Sequence, residues 1–559
     1  MIAAALIYAL YRTSFHPPAP PPALEFTHVT GSGDVQQADI SPDGKYVVYL
    51  RERAGKQSLW LKHLATDSDV QIVTLAENTC SGVAFSPDAN FVYFVRQDRV
   101  KPNGDLYQVP FLGGTPRKML AGISGAPAFS PGGDRVAFVR HTPSEDSVLT
   151  ASLDGSGEQV LASYKAPEEI DPYRVAWSPD GKTLAFAHSD PLPVVATIDA
   201  KGGSPQTIVG WWSRVLDLTW LPGGRHLLIA GWGGGNTSQL YEVSLEGGET
   251  RRQITYDVSD YWSIRASADS KTLLSLQHQT VVTVQVVIPG KESEAQSWSA
   301  GNQSWDGYVG LAWTPDGKIV YYSQPNARPS IWEMSANGSN PHLINNGIKG
   351  SFMPTVSPRG GFMAFYRYQD DGENVWRMDM DGTNPKQLTH GKEDFDHAIT
   401  PDGNWVVFTR TQGGKDVLMK VPSGGGPTAP LMENAHSATI SPDGRWIACA
   451  FSPGHNQPDN LVVVPFEGGR PAKVFPLLAA VNGADYGLHW TPDGHAISFV
   501  NNVNGVSNIW EQPVAGGPPK AVTHFTSDKI FWFDWSRDGR LALSRGTEPT
   551  DAMLIKNFQ

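Results

Sequence analysis

The four-residue word Ser/Thr-Pro-Asp-Gly recurs down the chain, intact or lightly degraded. It starts at Ser41, Ser86, Ser130, Ser178, Leu221, Ser267, Thr314, Ser357, Thr400, Ser441, Thr491 and Ser536. The spacing averages 45 residues. A fixed period of that size marks a repeat architecture, in which each unit buries its apolar face only against its neighbours. The word is itself a turn. Proline presets φ at the first turn position, aspartate hydrogen-bonds the local backbone, and glycine takes the left-handed conformation that closes a hairpin.

One repeat shows what the word connects. Met353 to Ser357 is a short apolar strand, and Phe362 to Tyr366 a second. After a polar loop, Asn374 to Asp379 alternates as a third strand, Asp381-Gly382 turns the chain, and Lys386 to Thr389 is a fourth. Similar second words stand at Gly113-Gly114, Gly202-Gly203, Gly424-Gly425 and Gly516-Gly517. Four antiparallel strands per repeat is a propeller blade, and one ring usually holds roughly four to eight blades. Twelve words therefore predict an all-β chain of two tandem six-bladed β-propellers. The predicted division is an anchor segment and Pro-rich linker over 1–25, a first propeller over 26–300 and a second over 301–559. A fourth-type strand without a blade, Phe26 to Thr30, precedes the first word, and a third-type strand, Ala552 to Asn557, follows the last. Pairing the two would remove both exposed edges. The sequence leaves open which ring they complete.

The N-terminus adds a location. Met1 to Tyr11 is almost wholly apolar and Arg12 ends it. Eleven residues fall short of the roughly 20 that span a bilayer. No positive charge precedes the run, as a signal peptide would require. The stretch reads as the last half of a transmembrane helix, or alternatively as a short uncleaved anchor, followed by a stiff polyproline spacer from His16 to Pro22. A membrane-tethered domain on the periplasmic or extracellular side is the expectation.

Charge and motifs exclude several functions. The net charge is −12 with no basic stripe, so there is no electrostatic footprint for nucleic acid. The two cysteines, Cys80 and Cys449, are too few for a disulfide scaffold, and Cys449 sits in an apolar strand as a small hydrophobe. No kinase loop, Gly-x-Ser-x-Gly elbow, P-loop or Cys/His cluster with metal spacing occurs. Asp379-Met-Asp381-Gly382 lacks the later acidic ligands of a calcium loop. No cofactor is predicted.

Two sets of candidate site residues remain. Two residues ahead of each word the chain carries mostly Ala or Thr, as tight packing near an axis demands. The exceptions are Asp39, Arg265, His489 and Asp534, which are channel polar candidates or structural hydrogen-bonding groups. His397 and His436 lie near inner-strand starts on adjacent repeats. The face opposite the tight turns is rich in aromatics. Its candidate ligand-binding residues are Trp211, Arg214, Tyr261, Trp262, Trp305, Tyr308, Phe352, Phe395, His397 and Tyr486. They either plug the gaps between blades or form a platform for a protein, peptide or glycan.

The repeated words resemble the TolB-type propeller repeat, also called WD40-like or PD40, over roughly residues 26–559. A narrower likeness lies in Gln57-Ser-Leu-Trp-Leu, in Leu106-Tyr-Gln-Val-Pro-Phe-Leu-Gly-Gly-Thr-Pro-Arg-Lys and in Trp376-Arg-Met-Asp. It continues in Asn384-Pro-Lys-Gln-Leu-Thr389 and in Phe533-Asp-Trp-Ser-Arg-Asp-Gly539. These phrases are similar to the extracytoplasmic regions of bacterial membrane Ser/Thr protein kinases and winged-helix regulators. This chain carries neither effector domain, so kinase activity and DNA binding do not transfer. The resemblance implies a non-enzymatic ligand- or protein-binding propeller module, a sensor or envelope scaffold. The alternatives are a channel-site hydrolase or lyase, and the sensor fragment of a transmembrane kinase or transcriptional regulator.

Overall fold

The structure is a computed structural model. It describes residues 23–558 apart from 54, 76–78, 98–102, 143, 166–167, 172–173, 191, 211, 234–236, 246–249, 299–304, 326–328, 345–347, 349, 370–371, 455–458 and 478–486. The anchor and spacer expected over 1–22 lie outside the described residues, as do Trp211 and Tyr486. Within them, no helix is long and apolar enough to cross a membrane.

The turn word folds the same way at each repeat, closed by an amide-to-carbonyl bond three residues back, and where it carries Ser/Thr and Asp it also satisfies itself. At the first, the Ser41 hydroxyl donates to Asp43 Oδ1 at 2.6 Å and accepts the Tyr46 amide at 2.9 Å. The Gly44 amide donates to the Ser41 carbonyl at 2.8 Å, and Gly44 has φ +70°. The same Ser/Thr-to-Asp bond recurs at 2.5–2.7 Å in Ser86–Asp88, Ser178–Asp180, Thr314–Asp316, Thr400–Asp402 and Ser536–Asp538. That bond is the main reason the carboxyl groups of Asp43, Asp88, Asp316 and Asp538 titrate below the ordinary aspartate range.

The words punctuate antiparallel units of four strands. Val35–Ile40, Tyr46–Arg53, Lys56–His63 and Ser68–Leu75 make the first. The second and third share one long strand, Arg117–Phe129, whose first half pairs back and second half pairs forward. Alternating apolar residues on each sheet pack against the next. Val48 and Leu59 of the first unit meet Val83 and Phe94 of the second, and Tyr93 and Leu106 meet Val136 and Phe138 of the third. The succession returns on itself: Val35 and Ala38 of the first unit pack against Leu274, Leu276 and Leu554 of the sixth. The last six units show the same return, with Leu311 and Tyr321 of the seventh packed on Val284 and Ala542 of the twelfth.

The sixth and twelfth units are each mixed from parts of the chain far apart in sequence. Glu25–His28 pairs with Thr550–Lys556, which pairs with Thr272–His278. The N-terminal strand thus completes the unit that holds the C-terminal strand, in the arrangement that leaves neither edge bare. Val281–Val287 and Gln296–Trp298 belong to a sheet with Lys529–Trp535 and Leu541–Thr547. Unit membership therefore does not follow a cut at residue 300. The chain passes from the first six units to the last six after His278, and returns before Thr550. The two passages form one antiparallel ribbon without a register slip, from Thr272↔Lys556 to Val287↔Leu541. Gln279 donates its amide to the Pro549 carbonyl at 3.0 Å in the middle of the crossing.

Candidate functional site

The inner strands of the last six units enclose a cavity of ≈ 1080 Å³. The positions two residues ahead of each word, Ala312, Thr355, Ala398, Thr439, His489 and Asp534, all line it. Small side chains at four of the six leave the space open. Two positions further back the backbone is unusual. Gly310, Met353, Asp396, Ser437 and Gly487 have φ of +115°, +51°, +46°, +52° and +46°. In the strands Ser351–Val356, Asp394–Ile399 and Ala435–Ile440 these residues are the extra residue of a bulge, where the register shifts. Left-handed backbone costs a non-glycine residue about 1–2 kcal/mol. Such residues cluster at ligand clamps and active sites. The corresponding positions of the first six units, such as Gln37, Asp217 and Ser263, carry no positive φ.

Asp534 and His489 face one another across two neighbouring units, with Nδ1 to Oδ1 at 3.5 Å. Asp534 also accepts two backbone amides, Trp313 at Oδ2 and Trp535 at Oδ1, both at 2.8 Å. Both side chains open into the cavity, at 25% and 21% exposure, yet sit deep in the molecule. Burial raises the Asp534 carboxyl to about 7 against those two bonds, and lowers His489 to about 4.

In the first six units the same positions are paired off. Asp39 accepts the Phe85 amide at 2.7 Å and the Ile40 amide at 2.9 Å, the same inter-unit device as at Asp534. Arg265 stands where His489 stands in the other set, with Nε 3.6 Å from Asp39 Oδ1 and Nη1 bonded to Asp217 Oδ2. Arg174 approaches the other oxygen of Asp217 at 3.2 Å. Two arginines and two aspartates thus balance in the interior. Burial lowers Arg174 to about 10, with the neighbouring Arg265 adding to the shift. Burial also raises the Asp39 carboxyl, against the opposing charge of Arg265.

A third cluster reaches the cavity wall through Ser437. Ser437 Oγ is 3.1 Å from His436 Nδ1, and His436 Nε2 is 3.3 Å from Asp459 Oδ2. The Ser437 hydroxyl also lies 3.0 Å from Asp396 Oδ2, an acceptor that competes for its one proton. Ser437, Asp459, Arg174 and Asp217 were not singled out from the sequence. Reading the column four residues ahead of the words would have raised Arg174, Asp217 and Ser437.

The aromatic candidates divide. Tyr261, expected as a ligand anchor, is fully buried and donates its hydroxyl to Asp257 Oδ2 at 2.7 Å; it is a core residue with no surface to offer a ligand. Trp262 is 40% exposed and stacks on His278, centroids 3.8 Å apart. Trp305, Tyr308 and Phe531 pack together, and the Tyr308 hydroxyl donates to Glu548 at 2.9 Å. Both groups flank the crossing ribbon. Phe352 is half-buried between Tyr322 and Tyr366. Phe395 is half-buried, and Arg214 is exposed with Nε 3.6 Å from Asp171. His397 is buried, and burial lowers it to about 4. Among the described residues no group of three or more His, Cys, Asp and Glu is placed to hold a metal ion. Cys80 and Cys449 are both buried free thiols.

Known proteins share parts of this chain. Dipeptidyl-peptidase 5 of Porphyromonas gingivalis is 20% identical over 350 residues, 55% of this chain and 48% of the relative. Tricorn protease homolog 1 of Streptomyces coelicolor is 33% identical over 87 residues, 15% of this chain and 8% of the relative. The chain thus spans about half of the first and a small part of the second. The crystal structure of the GH74 enzyme of Niastella koreensis aligns at TM-score 0.39 and 11% identity, covering 94% of this chain and 90% of that one. Residues 302–439 match the TolB beta propeller domain, PD40. The chain is an all-β, propeller-like protein with a TolB-type β-propeller domain over that segment.

Proposed function

We propose that the twelve units close as two six-bladed propellers and that the protein is a non-enzymatic binding module. Its ligand is a peptide segment that enters the channel of the second propeller. The observation that carries this reading is the cavity of ≈ 1080 Å³ along the inner strands of the last six units. The first six units fill the matching positions with an internally balanced charge cluster. The cyclic order of the core interfaces supports two rings of six. The names of both curated relatives concern peptides, which favours that ligand class. The apolar run Met1 to Tyr11 and the Pro-rich segment His16 to Pro22 favour a tethered module outside the cytoplasm. Peptides selected on the wild-type protein from a displayed library should lose binding to Ala398→Trp, which fills the channel. Equal binding to a folded Ala398→Trp protein refutes the channel.

A hydrolase is the second reading, favoured by Ser437 alone. If its hydroxyl donates to His436 rather than to Asp396, serine, histidine and Asp459 stand in nucleophile, base and orienter order. A fluorophosphonate probe that labels the wild type and not Ser437→Ala would support it. Absence of labelling retires it.

A further inference from the structure

The two halves of the molecule use one device with one difference. In each, an aspartate two residues ahead of a turn word clamps two backbone amides, one of them from the following unit. In each, the residue two ahead of the preceding word approaches Oδ1 of that aspartate, at 3.6 Å in one case and 3.5 Å in the other. In the first half that residue is Arg265, a permanent cation that also reaches Asp217. In the second half it is His489, which is shorter and neutral when deprotonated. The position is empty of fixed positive charge and opens on a cavity.

Other charges on the cavity wall do not fill the gap. They are Asp396 on an inner strand, and Asp316, Asp538, Arg359, Arg537 and Arg540 at the turn-word mouth. Among the described residues none of these lies within ion-pair distance of Asp534, whose only titratable neighbour at that distance is His489. Arg540 is engaged by Asp538, and Arg537 donates to the Pro358 carbonyl. A buried carboxylate without a cation is costly, and a ligand that brings one recovers that cost.

We propose that the cavity seats an ammonium group of its ligand against Asp534, in the place that Arg265 takes beside Asp39. This rests on the channel being the binding site. The ammonium comes from a peptide N-terminus or from a lysine side chain. Binding draws Asp534 into its ionised form, so affinity rises with pH through the carboxyl's titration near 7. Lysine keeps its charge between pH 6 and 8, and the remaining wall carboxylates face water at the mouth or Ser437. His489 titrates well below that window.

Three penta-alanine amides test the assignment by calorimetry: one with a free N-terminus, one N-acetylated, and one N-acetylated with lysine at its third position. The free-amine and lysine peptides are expected to bind at least tenfold more tightly than the acetylated one, and their relative order identifies the source of the ammonium. The lysine peptide should lose about tenfold in affinity from pH 8 to pH 6. Asp534→Asn should abolish both the preference and the pH dependence. His489→Arg, which installs a cation of the protein's own, should weaken the lysine peptide at least tenfold while the melting temperature holds or rises. Equal binding of all three peptides overturns the ammonium assignment and leaves the channel standing. Binding by none overturns both.

Discussion

Removing Arg265 should destabilise the first six units by an amount that depends on pH in a defined direction. Arg265 is the only cation within ion-pair distance of Asp39 among the described residues, whereas Asp217 keeps Arg174 at 3.2 Å. In Arg265→Met, a change that conserves much of the packed stem, Asp39 is left as a buried charge held by two amides alone. Breaking a buried pair in this way costs about 3–5 kcal/mol. Burial already raises the Asp39 carboxyl, and Arg265 is the strongest influence lowering it. The variant's carboxyl must therefore rise further. A raised acid holds its proton more tightly in the folded than in the unfolded chain. Its penalty is absent below the unfolded value near about 4 and grows as pH climbs towards the folded value. Urea unfolding of the full chain should show the deficit at pH 8 and a much smaller one at pH 4.5, each against wild type at the same pH. Asp39→Asn with Arg265→Met should recover at least 1 kcal/mol over the single variant at pH 8, since an uncharged amide replaces the stranded carboxylate. A deficit under about 1 kcal/mol at pH 8, or one that does not shrink in acid, would refute the reasoning.

Other outcomes follow from the same geometry. Gly317→Val and Gly444→Val meet no side-chain obstruction nearer than 3.7 Å but force a β-branched residue to φ +83° and +73°. Each should cost roughly 1 kcal/mol or more in thermal melts, and ligand affinity should stay unchanged at Gly444, which lies outside the cavity lining. Tyr261→Ala should cost about 3–5 kcal/mol as a core truncation; its neighbour Trp262→Ala should cost less than half as much, and equal losses would show that the Trp262 stack on His278 is core-like. The turn-word carboxylates titrate low, Asp443 at about 2, so the stability they supply is complete above about pH 4 and drains as pH falls towards 2; calorimetric melts from pH 5 to 2 read this directly. Deleting Met1 to Phe15 should release the protein from membrane fractions in a folded state, and recovery of the intact chain in the soluble cytoplasmic fraction would sink the tether.

The turn words were legible because their chemistry is local: serine, aspartate and glycine satisfy one another within five residues, so the word fixes its own fold. Counting back from the words located Asp534, His489, Asp39 and Arg265 for the same reason. Their pairing was not legible, because Arg174 and Asp217 meet Arg265 only when units far apart in sequence pack together. The bulges at Met353, Asp396 and Ser437 have no sequence signal, since three unlike side chains adopt one backbone state. The crossing had a faint one. His278-Gln279-Thr280-Val281 contains none of the glycine, asparagine or proline that a tight hairpin there would demand, so the strand simply continues into another sheet.

That crossing sets the order in which the molecule can be finished. Thr272–His278 waits for Thr550–Lys556, and only that strand in turn receives Glu25–His28. At roughly 5–20 residues per second a ribosome needs on the order of 15–50 s to travel between them. Throughout that interval the half made first presents a bare strand edge of Thr272, Leu273, Leu274, Ser275 and Leu276, three of them apolar, to whatever else is nascent nearby. The half made last can close its own sheets on Val281–Val287 before Thr550–Lys556 is made. Nascent-chain proteolysis should therefore find the later half protected first, an inversion of the usual amino-to-carboxyl sequence of maturation.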